Sequence, residues 1–342
     1  MDSVHMTKGM KAWVQSAPGP IERELKLVDN ITLPIGPLKE GHILIRVVSA
    51  SLNHADYKVL EMGLGARAIT SFPKTVGMDL SGVVAGVAAD VTDVAVGDVV
   101  LARLDPTKAP GSLAEHVIVA RDGYAKLPPG FDFDQAAGAP TAGLTALQSI
   151  KPYVKPGDWI FINGGSGATG TFGIQIAKAL GCHVTTSCST AKITLCQELG
   201  ADVVIDYKKS DIVSQLKKQG QIYSLVVDNV GSSPPDFFST AGSFLMRDGH
   251  FVAVGGAASA SNAYRVARAF LQSSCFGGRN FIAYLSKNNH DDMKQLAIWL
   301  GDGTISTIID SKYEFDAVAE AFLHVKKAST TGKVIVHVSS KD

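Results

Sequence analysis

The chain has 342 residues, 46% of them hydrophobic and 19% charged, which is the composition of a folded globular protein large enough for two domains. Lys plus Arg and Asp plus Glu number 32 each, so the balanced charge argues against nucleic acid and anionic membranes as partners. No apolar run approaches the roughly 20 residues of a membrane span, and the four cysteines lack disulfide or metal spacing, so we expect a cytoplasmic protein.

Short β-rich stretches separated by turn residues fill the chain from residue 11 to about residue 128. Runs such as 42–48 and 80–87 are rich in Val, Ile and Leu and have the length of strands. This pattern predicts a compact β domain. A helix candidate at 135–150 separates it from the next part of the chain.

From residue 158 onwards, apolar strands alternate with segments of helical length. The predicted strands are 159–162, 183–186, 203–206, 225–228 and 251–254. Alternation of this kind predicts right-handed βαβ crossovers and a parallel sheet covered on both faces. After about residue 279, two helix candidates and a strand at 333–338 are expected to return to the first domain.

A glycine-rich turn follows the first strand of this series. Gly165, Gly167 and Gly170 match the G-x-G-x-x-G pattern, whose glycines permit a tight turn, close approach of a pyrophosphate and helix–strand packing. The helix that follows offers unpaired N–H groups to the anion. The βα context favours a dinucleotide site over a turn without a ligand. The predicted contacts are Gly165, Ser166, Gly167, Ala168, Thr169 and Gly170.

The end of the next strand distinguishes NADPH from NADH. An NAD enzyme places a carboxylate there to bind the ribose hydroxyls, but residues 187–192 read Ser-Cys-Ser-Thr-Ala-Lys. The hydroxyls of Ser187 and Ser189 and the ammonium of Lys192 suit a 2′-phosphate, which a carboxylate would repel. We therefore predict NADPH. Ser189 could equally cap the next helix, and the two roles are compatible.

Short motifs spread over nearly the whole chain add up to a family resemblance. They are Asn53-His-Ala-Asp56, Gly77-Met-Asp-Leu-Ser-Gly, Gly97-Asp-Val-Val, Gly111-Ser-Leu-Ala-Glu-His-Val, Ala142-Gly-Leu-Thr-Ala-Leu, the glycine turn, Leu199-Gly-Ala-Asp, Asp228-Asn-Val-Gly and Gly332-Lys-Val. The chain resembles the medium-chain dehydrogenase/reductase superfamily, in its quinone oxidoreductase branch. The resemblance implies an α/β protein with a GroES-like domain at 1–128, a Rossmann NADPH-binding domain at 129–279, a C-terminal return at 280–342, and a homodimer as the family's usual assembly.

Two motifs depart from those of zinc-dependent members of the superfamily. Those members carry zinc ligands in a Cys before His-x-Asp and in Gly-His-Glu, where this chain has Asn53 and Gly77-Met78-Asp79. Asn and Met are poor ligands for tetrahedral zinc. The hydroxyl that relays protons in those enzymes would fall at Ala55, and the four-cysteine lobe is absent. We expect an enzyme without a metal.

Without a metal, the easier hydride acceptor is a quinone or an alkene conjugated to a carbonyl, because charge then develops on oxygen. The resemblance places Asn53, Tyr57, Lys58 and Thr145 near the nicotinamide. The Asp-Tyr-Lys run is similar to the Asp-Trp-Lys of plastid envelope quinone reductase-like proteins and fungal trans-acting enoyl reductases. Lys58 would polarise the substrate carbonyl and Tyr57 would pack beside it or supply a proton. Equally, Lys58 could be solvated and Tyr57 a packing residue.

The remaining site residues and two rival functions also follow from the resemblance. Tyr207, Asn229, Gly255 and Lys333 are expected to contact the cofactor. The expected partner is a small conjugated carbonyl compound or quinone. The first alternative is an enoyl reductase acting on a CoA- or carrier-bound acyl chain. The second is an NADPH-binding structural or regulatory protein without turnover.

Overall fold

The computed structural model describes residues 9–34, 36–231, 233–235, 237–254 and 280–340. They form two compact units, one of Met1–Thr141 with Asn288–Asp342 and one of Ala142–Lys287. These divisions fall later in the chain than the domain boundaries predicted at 128 and 279. Among the described residues, no helix is long and apolar enough to cross a membrane.

The strands, numbered in chain order, are β1 Gly9–Gln15, β2 Leu25–Thr32, β3 His42–Leu52, β4 Lys74–Thr75, β5 Asp79–Val87, β6 Val99–Arg103, β7 His116–Ala120, β8 Tyr124–Lys126, β9 Trp159–Asn163, β10 His183–Cys188, β11 Val203–Asp206, β12 Tyr223–Asp228, β13 Leu245–Ala253, β14 Asn280–Ala283, β15 Ile309–Glu314 and β16 Lys333–His337. The α-helices are Ile21–Glu24, His54–Lys58, Ala66–Ile69, Phe133–Gly138, Pro140–Ile150, Ala168–Ala179, Ile193–Glu198, Ile212–Gln219, Phe237–Thr240, His290–Gly301 and Val318–Lys326.

The first unit is built on β-sheets. β1 pairs with β2 and β4, and a larger sheet has the order β15-β16-β3-β5-β6-β8, with β7 paired to β3. Ile43, Ile45 and Val47 alternate along β3 and are fully buried, as expected for a strand with one face on the core. Gly82 on β5 lies against the backbone of Arg46, so a side chain there would clash with a carbonyl that cannot move aside.

Two further elements carry residues that the sequence predicts to be functional: β16 carries Lys333, and the predicted helix at 135–150 carries Thr145. β16 runs antiparallel to the end of β3, with Val334 opposite Leu52. The predicted helix at 135–150 is instead two helices, because Pro140 has no N–H with which to continue the first. The first of them begins after Asp132, whose carboxylate accepts the N–H groups of Asp134 and Gln135.

The second unit contains a six-stranded sheet with the order β11-β10-β9-β12-β13-β14, and every neighbouring pair in it is parallel. Relative to β9 as the first strand, this is the 3-2-1-4-5-6 order of the Rossmann fold. Ile160, Phe161 and Ile162 on β9 are fully buried, as in a sheet covered on both faces. The predicted doubly wound parallel sheet is confirmed, and β9 and β12 meet where the strand order reverses.

Candidate functional site

The glycine turn joins the end of β9 to the helix Ala168–Ala179. A Cβ at Gly165 would overlap the Thr186 hydroxyl, and a Cβ at Gly170 would overlap the Gly164 carbonyl. Packing within the protein therefore requires the first and third glycines. The second is different: among the described residues, the atom nearest to a Cβ at Gly167 would be the Gly164 oxygen, at 3.5 Å. The space beside Gly167 is open, as a site for a pyrophosphate requires.

The amino terminus of this helix is also open to a ligand. Gly167 is its N-cap residue, with φ −78° and ψ 168°, and no side chain caps the first turn. The N–H groups of Ala168, Thr169 and Gly170 belong to that turn, where intrahelical acceptors are missing. An anion placed there would meet these N–H groups and the positive end of the helix dipole.

A buried polar network holds the turn in place. Asn163 donates from Nδ2 to Asp228 Oδ1 at 2.8 Å, and its Oδ1 accepts the Ser187 hydroxyl at 2.6 Å. The same Ser187 hydroxyl accepts the N–H of Gly164 at 3.0 Å. Ser187 was predicted to meet a 2′-phosphate, but its side chain is buried and bonded to the turn. Sequence reasoning missed Asn163 and Asp228 as supports of this site.

Asn229 lies at the carboxyl end of β12, as predicted from the motif. Its Nδ2 and Oδ1 are both buried and have no hydrogen-bond partner among the described residues. Burying an amide in this state costs free energy, which a ligand that bonds to it would recover. Asn229 and the open turn therefore fit a nicotinamide dinucleotide. Gly255, the other residue predicted near this edge, lies outside the described residues.

The loop after β10 contains the residues predicted to select the cofactor. Ser189 precedes a short 3-10 turn, Thr190–Lys192, and both Ser189 and Lys192 are half-buried, whereas Tyr207 is 49% exposed. A carboxylate that sequence reasoning missed also reaches this loop: Asp206 accepts the Thr190 hydroxyl at 2.7 Å. It comes from β11, whose register sets Asp206 opposite Cys188. The signal was available, since adjacent parallel strands end at the same edge of a sheet.

A second polar cluster lies within the first unit. Lys333, whose side chain is 1% exposed, donates from Nζ to Asn53 Oδ1 at 2.7 Å and to Asp79 Oδ2 at 3.2 Å. Asn53 Nδ2 donates to the same Asp79 oxygen at 3.0 Å. The Thr141 hydroxyl and N–H bond the other oxygen of Asp79. Lys333 was predicted as a cofactor contact, and the structure joins it to Asn53, a predicted catalytic residue.

The helix His54–Lys58 follows directly on Asn53. Asp56 accepts the Asn53 N–H at 2.7 Å, and burial raises the pKa of this carboxyl to about 7. Tyr57 is 8% exposed, and burial raises its pKa as well. Lys58 is half-buried, which lowers its pKa. Desolvation of its ring, with the charges of Lys58 and Lys333, lowers the pKa of His54 to about 4, although the residue is exposed at the surface.

Thr145, the remaining predicted catalytic residue, lies on the helix Pro140–Ile150 and belongs to the second unit. It is 7% exposed. Among the described residues, no group of three or more His, Cys, Asp and Glu side chains is arranged to hold a metal ion.

Comparison with known proteins identifies the family. Residues 39–129 match the family model described as alcohol dehydrogenase GroES-like domain, and residues 199–336 match zinc-binding dehydrogenase. The trans-enoyl reductase pgmF of Aspergillus terreus is 39% identical over 96% of both chains. The chloroplastic NADPH-dependent alkenal/one oxidoreductase of Arabidopsis thaliana is 33% identical over 96% of this chain and 80% of its own.

Solved structures agree with this assignment. The quinone oxidoreductase of Coxiella burnetii superposes with a TM-score of 0.82 at 29% identity, covering 97% of this chain and 100% of that one. A GroES-like domain carried with a Rossmann sheet defines an oxidoreductase that uses a nicotinamide cofactor. The chain belongs to the medium-chain dehydrogenase/reductase superfamily, in the branch of quinone and enoyl reductases.

Proposed function

We propose that this protein is an NADPH-dependent reductase that needs no zinc and transfers hydride to a quinone or to the C=C bond of an α,β-unsaturated carbonyl compound. The observation that carries the proposal is the open turn at Gly167 beside the unpartnered amide of Asn229. The turn leaves room for a ligand among the described residues, and the amide offers it unsatisfied hydrogen-bonding groups, so both features suit a dinucleotide. The relatives named as alkenal/one, enoyl and quinone reductases support the choice of acceptor.

The preference for NADPH rests on the charge of the loop after β10. Lys192 is half-buried there, and Lys208 lies 5.5 Å from the centre of the Tyr207 ring. The carboxylate of Asp206 is bonded to Thr190 and to the Lys208 N–H and lies 4.0 Å from the Lys209 ammonium, which leaves the ammonium groups of Lys192 and Lys208 to meet a 2′-phosphate. Asp206 thus orders the loop while Lys192 supplies the charge.

Zinc independence is proposed from the residues at the superfamily's ligand positions. The amide of Asn53 and the carboxylate of Asp79 are both hydrogen-bonded to the Lys333 ammonium. A fixed cation between these two groups would repel a second cation in a buried setting. Met78, at the position of the superfamily's histidine ligand, is an additional poor match for zinc.

The bound cofactor would supply the hydride, and the protein's side chains would handle the oxygen and the proton. Half-burial lowers the pKa of Lys58, but as an ammonium it remains suited to holding a carbonyl oxygen on which negative charge grows. Tyr57 lies on the same helix, with its ring 5.4 Å from the ammonium of Lys326. Tyr57 or water would supply the proton that adds to the α-carbon, the alkene carbon next to the carbonyl.

An enoyl thioester carried by CoA or a carrier protein is the second candidate substrate. It is favoured by the match of 39% to a trans-enoyl reductase over 96% of both chains. The acceptor is chemically related, because a thioester carbonyl also conjugates with the C=C bond. The two candidates therefore share one mechanism and differ in what holds the acyl chain.

The test is oxidation of NADPH and NADH by the purified protein with a quinone, a 2-alkenal and an enoyl thioester in turn. We expect saturable turnover with NADPH and slower turnover with NADH. A fastest rate with the thioester would favour the second candidate. Tight NADPH binding without turnover on any acceptor would contradict the proposal and favour a binding protein, and absence of NADPH binding would contradict both.

A further inference from the structure

The cluster of Asn53, Asp79 and Lys333 supports an inference that rests on the proposed function. We infer that Asp79 and Lys333 are positioning residues that lock the side-chain amide of Asn53, so that its second Nδ2–H donates a hydrogen bond to the substrate oxygen that gains negative charge. Asn53 is half-buried, and this second N–H has no partner among the described residues. It is thus available to a small molecule.

The chemistry of the two neighbours permits only one orientation of the amide. A lysine ammonium only donates hydrogen bonds, so the Asn53 atom that faces Lys333 at 2.7 Å must be the oxygen. An ionised aspartate only accepts, so the Asn53 atom that faces Asp79 at 3.0 Å must be the nitrogen. A flipped amide would lose both bonds and set like partial charges against each other. Both neighbours are at most 1% exposed, so solvent does not screen this effect.

Asp79 is itself held without freedom to rotate. Its Oδ1 accepts the Thr141 hydroxyl at 2.6 Å and the Thr141 N–H at 3.1 Å, while its Oδ2 accepts the bonds from Asn53 and Lys333. Bonds of this kind to an ionised group are the stronger ones in proteins. The immobile Asp79 carboxylate therefore holds the Asn53 amide in one orientation.

The sheet brings the three residues together from distant parts of the sequence. Asn53 follows the last residue of β3, Asp79 begins β5 opposite Ser51, and Lys333 begins β16, where the next residue lies opposite Leu52. Gly332 has φ +74°, and a Cβ there would overlap the Ile308 carbonyl, so glycine is required just before Lys333. The arrangement is fixed by backbone pairing.

Such a donor would act in the step in which negative charge develops on the substrate oxygen. Hydride from NADPH forms a C–H bond at the β-carbon, the π electrons of the C=C bond move toward the carbonyl, and its oxygen becomes an enolate. Loss of the hydride leaves NADP⁺, and a proton from Tyr57 or water would then add to the α-carbon and restore the carbonyl. A donor aimed at the enolate oxygen strengthens its bond in the transition state, and loss of one such donor lowers kcat by roughly 100- to 1,000-fold.

The decisive variant exchanges the two side chains, as Asn53→Asp with Asp79→Asn. The exchange keeps one amide, one carboxylate and Lys333 in the cluster and leaves the net charge unchanged, but an ionised carboxylate at position 53 cannot donate. We expect a lower melting temperature, because the amide introduced at position 79 must turn its NH2 group toward either Lys333 or the Thr141 N–H. We also expect an unchanged NADPH Kd, a kcat at least roughly 100-fold lower, and recovery of kcat as falling pH protonates the introduced carboxyl. A purely structural role would not produce this recovery.

Two further variants complete the test. Asn53→Ala removes the donor and keeps the ion pair of Asp79 and Lys333. It should lower kcat as much as the exchange does, with no recovery at low pH. This variant also tests the inference if the exchanged protein does not fold. Asp134→Asn alters a buried carboxylate bonded to Lys312 elsewhere in the first unit and should leave kcat unchanged. If the wild type turns over and both Asn53 variants keep their kcat, this inference alone is overturned. A wild type with no turnover overturns the proposed function with it.

Discussion

Replacing Gly167 with alanine separates cofactor binding from folding. The φ of −78° and ψ of 168° at this residue suit any amino acid. Of the residues that the structure describes, the added Cβ would meet only the Gly164 oxygen, at an ordinary contact distance of 3.5 Å. Alanine at a compatible position restricts the unfolded chain and typically stabilises a protein by about 0.4–1 kcal/mol. The unliganded Gly167→Ala protein should therefore melt at or slightly above the wild-type temperature.

The same methyl group would occupy the space through which a pyrophosphate approaches the backbone. Moving the diphosphate outward weakens its bonds to the N–H groups of Ala168 and Thr169. We expect the NADPH Kd to rise at least tenfold, which corresponds to about 1.4 kcal/mol. The measurement is a fluorescence titration with NADPH, paired with thermal unfolding with and without the cofactor.

Gly170→Ala provides the matched comparison in the same turn. Its Cβ would overlap the Gly164 carbonyl and approach the Gly165 backbone, neither of which is a flexible side-chain end. Overpacking of this kind costs about 1–3 kcal/mol, so this variant should melt lower even without cofactor. If Gly167→Ala binds NADPH as tightly as the wild type, the space beside Gly167 is not the diphosphate site and the reasoning fails.

Three other substitutions have outcomes that the structure predicts. Burial raises the pKa of Asp56 to about 7, so the folded protein retains a proton that the unfolded chain releases. The free energy of unfolding should therefore fall by on the order of 4 kcal/mol as the pH rises from about 4 to about 7. Urea unfolding of Asp56→Asn over the same pH range should not show this fall. Burial raises the pKa of the Asp134 carboxyl, but hydrogen bonds from Lys312, Ser49 and His337 outweigh this effect and lower it to about 2. The carboxylate therefore stabilises the fold above about pH 4, and this stabilisation is lost as the pH falls toward 2. Acid unfolding of Asp134→Asn should lack this loss, and acid unfolding profiles identical to the wild type would contradict the prediction. Lys192→Ala should raise KM for NADPH and leave KM for NADH unchanged, and an equal effect on both would argue against a 2′-phosphate contact.

The sequence predicted five of the six strands of the second unit, because each of those steps is local. It missed β14, since the chain after about residue 279 was expected to return to the first domain. Apolar strands alternate with helices, and the glycine pattern falls between β9 and its helix, so the parallel sheet and the turn follow from general rules. The direction of a single side chain does not follow in this way. Ser187 has the residue type of a phosphate ligand, yet its hydroxyl bonds Asn163 Oδ1 and the Gly164 N–H. Only the packing of β9 against β10 decides which way it turns.

The cluster in the first unit was harder to predict because its partners are far apart in sequence. Asp79 and Lys333 are separated by 254 positions, and they meet only because β16 returns to pair with the end of β3. The motifs containing Asn53 and Asp79 gave residue types without showing that the two side chains bond each other. Asp206 was missed for a related reason, since only the end of β10 was considered and the neighbouring strand supplies the carboxylate.

The charges around Asn53 favour a reaction that creates a negative oxygen. Asp79 and Lys333 form a buried pair in which each charge offsets the other. Asp56 is held largely neutral below about pH 7 by burial, so it adds little negative charge under those conditions. Lys58 then remains as a cation of this region, whereas the Asp105 carboxylate offsets the charge of Lys74. Where solvent is excluded, a net positive surrounding stabilises an enolate more than the neutral carbonyl from which it forms, and this difference is what lowers the barrier to hydride addition.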